Sequence, residues 1–133
     1  MQPPGTPLAR KLGFKPDLRI CCLNQPPEYR SFFDVLPDGI QWVQNPEAGM
    51  DIIHYFEVSR DQLAANLPWL RDLIVTNGMI WVSWPKKSSG RKSDVTEDVI
   101  RDLALAHRLV DVKVVSVNAI WSGLKLVIPL KYR

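Results

Sequence analysis

The sequence predicts one α/β domain: a mostly parallel sheet in three layers that ends in an antiparallel hairpin. Short apolar runs of strand length alternate with amphipathic segments of helical period, the pattern of a sheet with helices on its faces. The last two strand-like runs are separated only by Asn118 to Ser122. That is too short for a crossover between parallel strands, so the pair must be antiparallel. The 133 residues suffice for one core, and no internal repeat or low-complexity linker divides residues 1–133.

Thr6-Pro7 reads as an N-cap followed by proline at the first helical position, with Gly13 as the stop, so a short helix is expected at 7–12. Leu18 to Leu23 is a compact apolar run suited to a strand buried on both faces. Pro26-Pro27 ends it, and Phe32, Phe33 and Leu36 at near-helical spacing predict a helix over 28–36. Ile40–Val43 and Asp51–Phe56 are the next strands. Ser59-Arg60-Asp61-Gln62 has the form of a capping box, and Leu63, Leu67, Leu70 and Ile74 line one helical face. Pro68 should kink or split that helix, and Asn77-Gly78 should close it. Met79–Trp84 is the fourth strand. Asp94 to Glu97 is a weaker capping signal for a helix carrying Val95, Val99, Leu103 and Ala106 as its stripe. Val110–Val117 and Gly123–Leu130 form the closing hairpin, and the first five strands should all run parallel.

Apolar residues make up 46% of the chain and charged residues 23%, ordinary for a globular protein in water. No apolar run approaches the length of a membrane span, and the N-terminus lacks the apolar core of a secretory signal. The adjacent Cys21 and Cys22 would point to opposite faces of a strand, and neither has a partner at metal-ligand spacing. These features predict a cytoplasmic protein with two unpaired thiols, no membrane partner and no bound metal. Charge is uneven: residues 1–83 carry −2 and residues 84–133 carry +5.

Residues 51–54 followed by a helix, then Gly78-Met79-Ile80-Trp81-Val82, resemble the fourth and fifth strands of the class I S-adenosylmethionine-dependent methyltransferase fold, a Rossmann-like architecture. A second resemblance covers nearly the whole chain. Gly5-Thr6-Pro7-Leu8-Ala9, Trp81-Val82-Ser83-Trp84-Pro85-Lys86-Lys87, Thr96-Glu97-Asp98-Val99 and Trp121-Ser122-Gly123-Leu124-Lys125 are similar to a bacterial family of small domains of unknown function. That resemblance implies a fold and a bacterial origin; it carries no activity.

The methyltransferase cofactor is held by a glycine-rich turn after the first strand, where the backbone must approach the ligand closely. Here the turn is Asn24-Gln25-Pro26-Pro27-Glu28, and each proline removes a backbone donor. Gln44-Asn45 stands where an acidic residue would bind ribose, and a helix and strand between Val43 and Asp51 are missing. No cofactor is therefore expected.

Ligands of open α/β sheets bind beyond the carboxyl ends of the strands. The residues expected there are Asn24, Gln25, Glu57, Ser59, Trp84, Lys86, Lys87 and Asn118, with Trp121 and Ser122 on the same rim. A Trp face beside paired lysines can hold an aromatic anion. Glu57 is the best single acid or base, and no nucleophile motif identifies a catalytic residue. The leading expectation is a non-catalytic domain that binds an anionic small molecule or a protein partner, a second copy included. The alternatives are a divergent methyltransferase and a nucleic-acid accessory using the basic loop 86–92.

Overall fold

The computed structural model describes residues 6–133. Six strands form one sheet: β1 (Arg19–Leu23), β2 (Gln41–Val43), β3 (Met50–Phe56), β4 (Ile74–Pro85), β5 (Val110–Ser116) and β6 (Trp121–Val127), in the order β2-β1-β3-β4-β6-β5. The first four run parallel to one another. β6 lies antiparallel between β4 and β5, so β5 points the same way as the first four, as the sequence predicts. Three α-helices accompany them: α1 (Leu8–Lys11), α2 (Arg60–Leu73) and α3 (Glu97–Ala106).

The two faces of the sheet are covered by different means. On one face α2 lays Leu63, Leu67 and Leu70, and α3 lays Ile100 and Ala104, over Ile53, Tyr55, Ile80, Val82, Leu124 and Leu126. On the other face only α1 and a single turn of 3-10 helix, Tyr29–Phe32, lie over Ile20, Ile52, Phe56 and Trp81. Rings supply the cover that helices supply opposite. Phe14 stacks on Phe33 at 5.4 Å, and Tyr29 meets Phe33 edge-on at 5.2 Å and Phe56 at 5.7 Å. The helix expected over 28–36 is therefore corrected to one 3-10 turn. The turn ends because Phe33 is already extended as its ring joins the stack.

Trp81 fastens this aromatic layer to the sheet. Its ring is fully buried, and its Nε1 donates to the Leu12 carbonyl at 2.9 Å, at the end of α1. Gly13, at φ +77°, closes that helix by a backbone bond from Phe14 to the Ala9 carbonyl. Pro7, not Thr6, is the residue that precedes the first helical one.

Arg19 explains how the chain omits a helix and a strand between β2 and β3. The six-residue link 44–49 crosses β1, where parallel neighbours ordinarily need a dozen or more residues. The guanidinium of Arg19 donates to the carbonyls of Ala48 and Gly49 at 3.0 and 3.1 Å and pairs with Glu47 at 2.9 Å. Gly49 sits at φ +84°, and a Cβ there would lie 2.8 Å from that guanidinium.

Other boundaries move for local reasons. α2 runs unsplit through Pro68 and ends at Leu73 rather than at Asn77-Gly78, because the β-branched Ile74-Val75-Thr76 are already strand. The irregular register between Met50 and Ile52 absorbs that early start. In α3 the buried residues are Ile100 and Ala104, with Val99 and Leu103 beside them; Val95 is buried before the helix begins and Ala106 is exposed. β6 spans Trp121–Val127, not 123–130, because Pro129 starts a final 3-10 turn. No described peptide bond is cis, that of Trp84-Pro85 included.

Arg19→Ala and Gly49→Ala should each lower unfolding free energy by about 1–3 kcal/mol in urea titrations, since the first removes the charged donor that holds the crossing carbonyls and the second strains the backbone. Trp81→Phe should cost a similar amount by leaving the Leu12 carbonyl unpaired in the core. Changes below about 0.5 kcal/mol would show that neither device holds the fold.

Candidate functional site

The carboxyl ends of β1, β3 and β4 form the rim at which ligands of such sheets bind. Between β1 and β3 the rim is filled by the protein itself. Asn24, at φ +57°, makes the tight turn that glycine would make elsewhere, and its Nδ2 donates to the Phe56 carbonyl at 3.0 Å. That bond ties the two strand ends together. Beneath it lies Tyr29, wholly buried, with its hydroxyl 2.9 Å from Nδ1 of His54. Nε2 of His54 lies 2.8 Å from Ser83 Oγ. All three are fully buried, so this chain links the turn after β1 to β3 and β4 with no route to solvent.

The chemistry follows from burial. Loss of solvent pushes the His54 pKa down to about 3, so the ring is neutral, with one nitrogen donating and one accepting. Burial holds the Tyr29 hydroxyl protonated well above its usual range. Burial, with Glu47 adding to it, pushes the Cys21 thiol up to about 11, and burial with the adjacent Cys21 raises Cys22 further. Cys21 is buried and Cys22 half-buried, and neither is a ready nucleophile. What remains open here is a cavity of about 210 Å³ bordered by Cys22, Gln25, Arg30, Trp42, Val43 and Gln44. That is smaller than the ~300 Å³ at which ligand pockets usually begin. The guanidinium of Arg30 lies over Trp42, 3.9 Å from the ring centre.

Glu57, at the end of β3, is 8% exposed and fully engaged. Its carboxylate accepts from the Tyr55 hydroxyl at 2.6 Å and from the amides of Val58 and Ser59 at 2.9 and 3.1 Å. Ser59 in turn accepts from the Gln62 amide at 3.3 Å, and Asp94 takes the Arg60 amide at 2.7 Å. Three oxygen acceptors thus satisfy the start of α2. Burial, and then the bond to Glu57, raises the Tyr55 pKa, while Asn66 donates to the same hydroxyl.

At the end of β4, Trp84 pairs with Ser122 and Pro85 with Trp121 across the antiparallel ladder. Successive residues alternate faces, so the two tryptophans lie on opposite sides of the sheet: Trp84 packs with α2 and α3, Trp121 with the ring layer. Trp121 is 6% exposed, 5.0 Å edge-on from Phe56. The two lysines also part. Nζ of Lys86 donates to Ser116 Oγ at 2.6 Å and to the Asn118 carbonyl at 2.7 Å, which fastens the turn between β5 and β6. Oδ1 of Asn118 holds the amides of Ile120 and Trp121 in the same turn. Lys87 instead faces a cavity of about 470 Å³ with Trp84, Pro85, Arg91, Ser93 and the first turn of α3.

That cavity contains a residue the sequence reading did not single out. Arg91 lies in the basic run 86–92, and its guanidinium is 5.6 Å from the Trp121 ring centre, so it reaches between the cavity and the second tryptophan. The acids of the α3 first turn, Glu97 and Asp98, are both paired to Arg101, which also reaches Asp111 at 3.1 Å. The i+3 and i+4 spacing of Arg101 was the available signal for this neutralisation. Thr96 caps α3 by accepting from the Val99 amide.

No protein-family model and no curated protein sequence matches the chain. Solved structures do match. The magnesium protoporphyrin IX methyltransferase of Synechocystis, solved with bound S-adenosylmethionine, aligns with a TM-score of 0.60 and 11% identity over 92% of this chain and 74% of that one. A ribosomal protein L11 methylase from Lactobacillus delbrueckii gives 0.58 and 10% over 90% and 73%. The fold is that of the class I methyltransferases. The Methanococcus jannaschii fibrillarin pre-rRNA processing protein gives 0.52 and 12% over 92% and 69%. At such identity the likeness is one of architecture. No described helix is long and apolar enough to cross a membrane, and no described group of acidic, His or Cys side chains could hold a metal ion.

The buried histidine generates a pH prediction. Its folded pKa of about 3 lies below the ordinary 6.5, so in that window the unfolded chain binds a proton that the folded chain refuses. The stabilisation is complete above pH 6.5 and is lost as pH falls toward 3, at a slope of at most about 1.4 kcal/mol per unit. In His54→Gln the slope between pH 6.5 and 5 should flatten, whatever the loss in overall stability. An unchanged slope in urea titrations would contradict the neutral buried ring.

Proposed function

We propose that the protein is a methyltransferase-fold domain without methyl-transfer activity that binds an aromatic anion at the cavity beside Trp84. The observation that carries this reading is the charge balance of that cavity. Lys87 and Arg91 face it with no ion-pair partner among the described residues, while its carboxylates Glu97 and Asp98 are taken by Arg101. Positive charge therefore outlasts the local acids, and the Trp84 ring supplies a face for stacking. Asn24, Glu57, Lys86 and Trp121 shape the rim in this reading, and Ser122 sits across from Trp84 without a catalytic task. The filled crevice between β1 and β3 supports the absence of transfer chemistry, because a cofactor there would have to displace Tyr29.

A second reading, a divergent methyltransferase, is favoured by the solved structures it aligns with, one of which carries bound S-adenosylmethionine. On that reading the 24–33 segment must leave the crevice to admit cofactor.

Calorimetry with adenosine monophosphate as the aromatic anion, and inorganic phosphate as the non-aromatic control, tests the first reading. The nucleotide should bind and phosphate alone should bind at least tenfold more weakly. The double change Lys87→Ala with Arg91→Ala should weaken the nucleotide tenfold or more while moving stability by no more than ~0.5 kcal/mol. Unaltered affinity in the double variant would remove the cavity from consideration.

A further inference from the structure

A second cationic site lies on the ring-covered face, away from the rim. Lys125 on β6 pairs directly with Trp81 on β4, so its side chain leaves the sheet on the same face as that buried ring. On the far side of β6 the ladder is irregular. Asp111 pairs with Leu126 and Val114 with Leu124, so Val112 and Lys113 together stand opposite Lys125. This bulge brings Lys113 beside Lys125. From the other side comes Lys15. The end of α1 is fixed over the same strand, with Leu12 bonded to Trp81 and Gly13 packed against Met79. Lys15 follows Phe14 at that point.

The three ammonium groups have no carboxylate among them. None of Lys15, Lys113 or Lys125 makes an ion pair or a side-chain hydrogen bond among the described residues. Of the two acids nearest in sequence, Asp17 is turned against Gly39 and Asp111 is paired with Arg101. Lys125 is half-buried, and burial first, then Lys113 and Lys15, pulls its pKa below the ordinary lysine value. Arg10 extends the charge along α1, where it borders a cavity shared with Lys15. An arrangement that sets like charges side by side, one of them half-buried, destabilises the free protein unless an anion compensates it.

We propose that Lys15, Lys113 and Lys125 form a contact site for the phosphate backbone of a nucleic acid. A small enclosed ligand fits less well, because Lys113 and Lys125 border none of the cavities described above and present an open face of the sheet. Backbone phosphates need only a row of cations at the surface, and such contacts carry no base preference. The site is distinct from the basic loop 86–92, which lies beyond the end of β4.

The test is fluorescence anisotropy of the whole protein with a labelled, mixed-sequence RNA strand of about 12 nucleotides, a length within usual single-strand site sizes, across a series of salt concentrations. The logarithm of affinity should fall linearly with the logarithm of salt, and Lys15→Ala, Lys113→Ala and Lys125→Ala should each reduce that slope by about 0.7. Lys125→Arg should keep the slope, and the same decrements for the three lysines should appear in the background of Lys87→Ala with Arg91→Ala. Without RNA, Lys125→Ala should raise the melting temperature, because it relieves the repulsion; a merely structural lysine would lower it. No RNA binding, a slope insensitive to the three lysines, or pyrophosphate binding as tightly as the strand would each overturn the proposal.

Discussion

A sheet with long helices on only one face must cover the other face by another means, and here the means is a ring layer pinned by Tyr29. Its hydroxyl meets His54, and His54 meets Ser83, so a polar chain with both imidazole nitrogens satisfied runs through an otherwise aromatic interior. Polar groups in such a place destabilise a fold unless each finds a partner, and a complete chain specifies one arrangement of its members. The turn after β1 cannot move without breaking that chain. Its position in turn fixes Phe32 and Phe33, and through them Phe14 and the end of α1.

The same packing shapes the rim. In a methyltransferase fold the turn after the first strand stands back and lets a cofactor in. Here Asn24 closes on Phe56, Tyr29 fills the space below, and Arg30 covers Trp42. The thin cover of the ring-covered face and the closed turn after β1 involve one segment, 24–33, which buries Pro26, Tyr29 and Phe33. A larger open volume lies along the rim at the end of β4, where Lys87 and Arg91 face the start of α3.

Much of the fold was legible because strand burial and turn chemistry are local. The parallel run and the closing hairpin follow from apolar runs and connection lengths, and the structure holds both. Other features depend on partners far apart in sequence. Tyr29, His54 and Ser83 share no periodicity, and only the folded register brings them together. Phe32 and Phe33 read as a helical stripe, yet the backbone is already extended at Phe33, whose ring joins the stack. Arg19 gave no sign that it would hold a six-residue crossover. At the rim, adjacency misled in a second way. Lys86 and Lys87 read as a pair, but the strand ends at Pro85 and a 3-10 turn begins at Lys87, so one reaches the β5–β6 turn and the other the cavity, while Arg91 supplies the second cation there.

The central claim is that the protein's own side chains occupy the space a methyltransferase gives to its cofactor. Titration of isotope-labelled protein with S-adenosylhomocysteine, followed by amide and aromatic NMR signals, tests it most directly. The account predicts that the signals of Asn24, Tyr29 and Phe33 stay in place at millimolar ligand. Saturable shifts of those signals at micromolar ligand would contradict it, because they would mean that the crevice opens and that the ring layer is a lid.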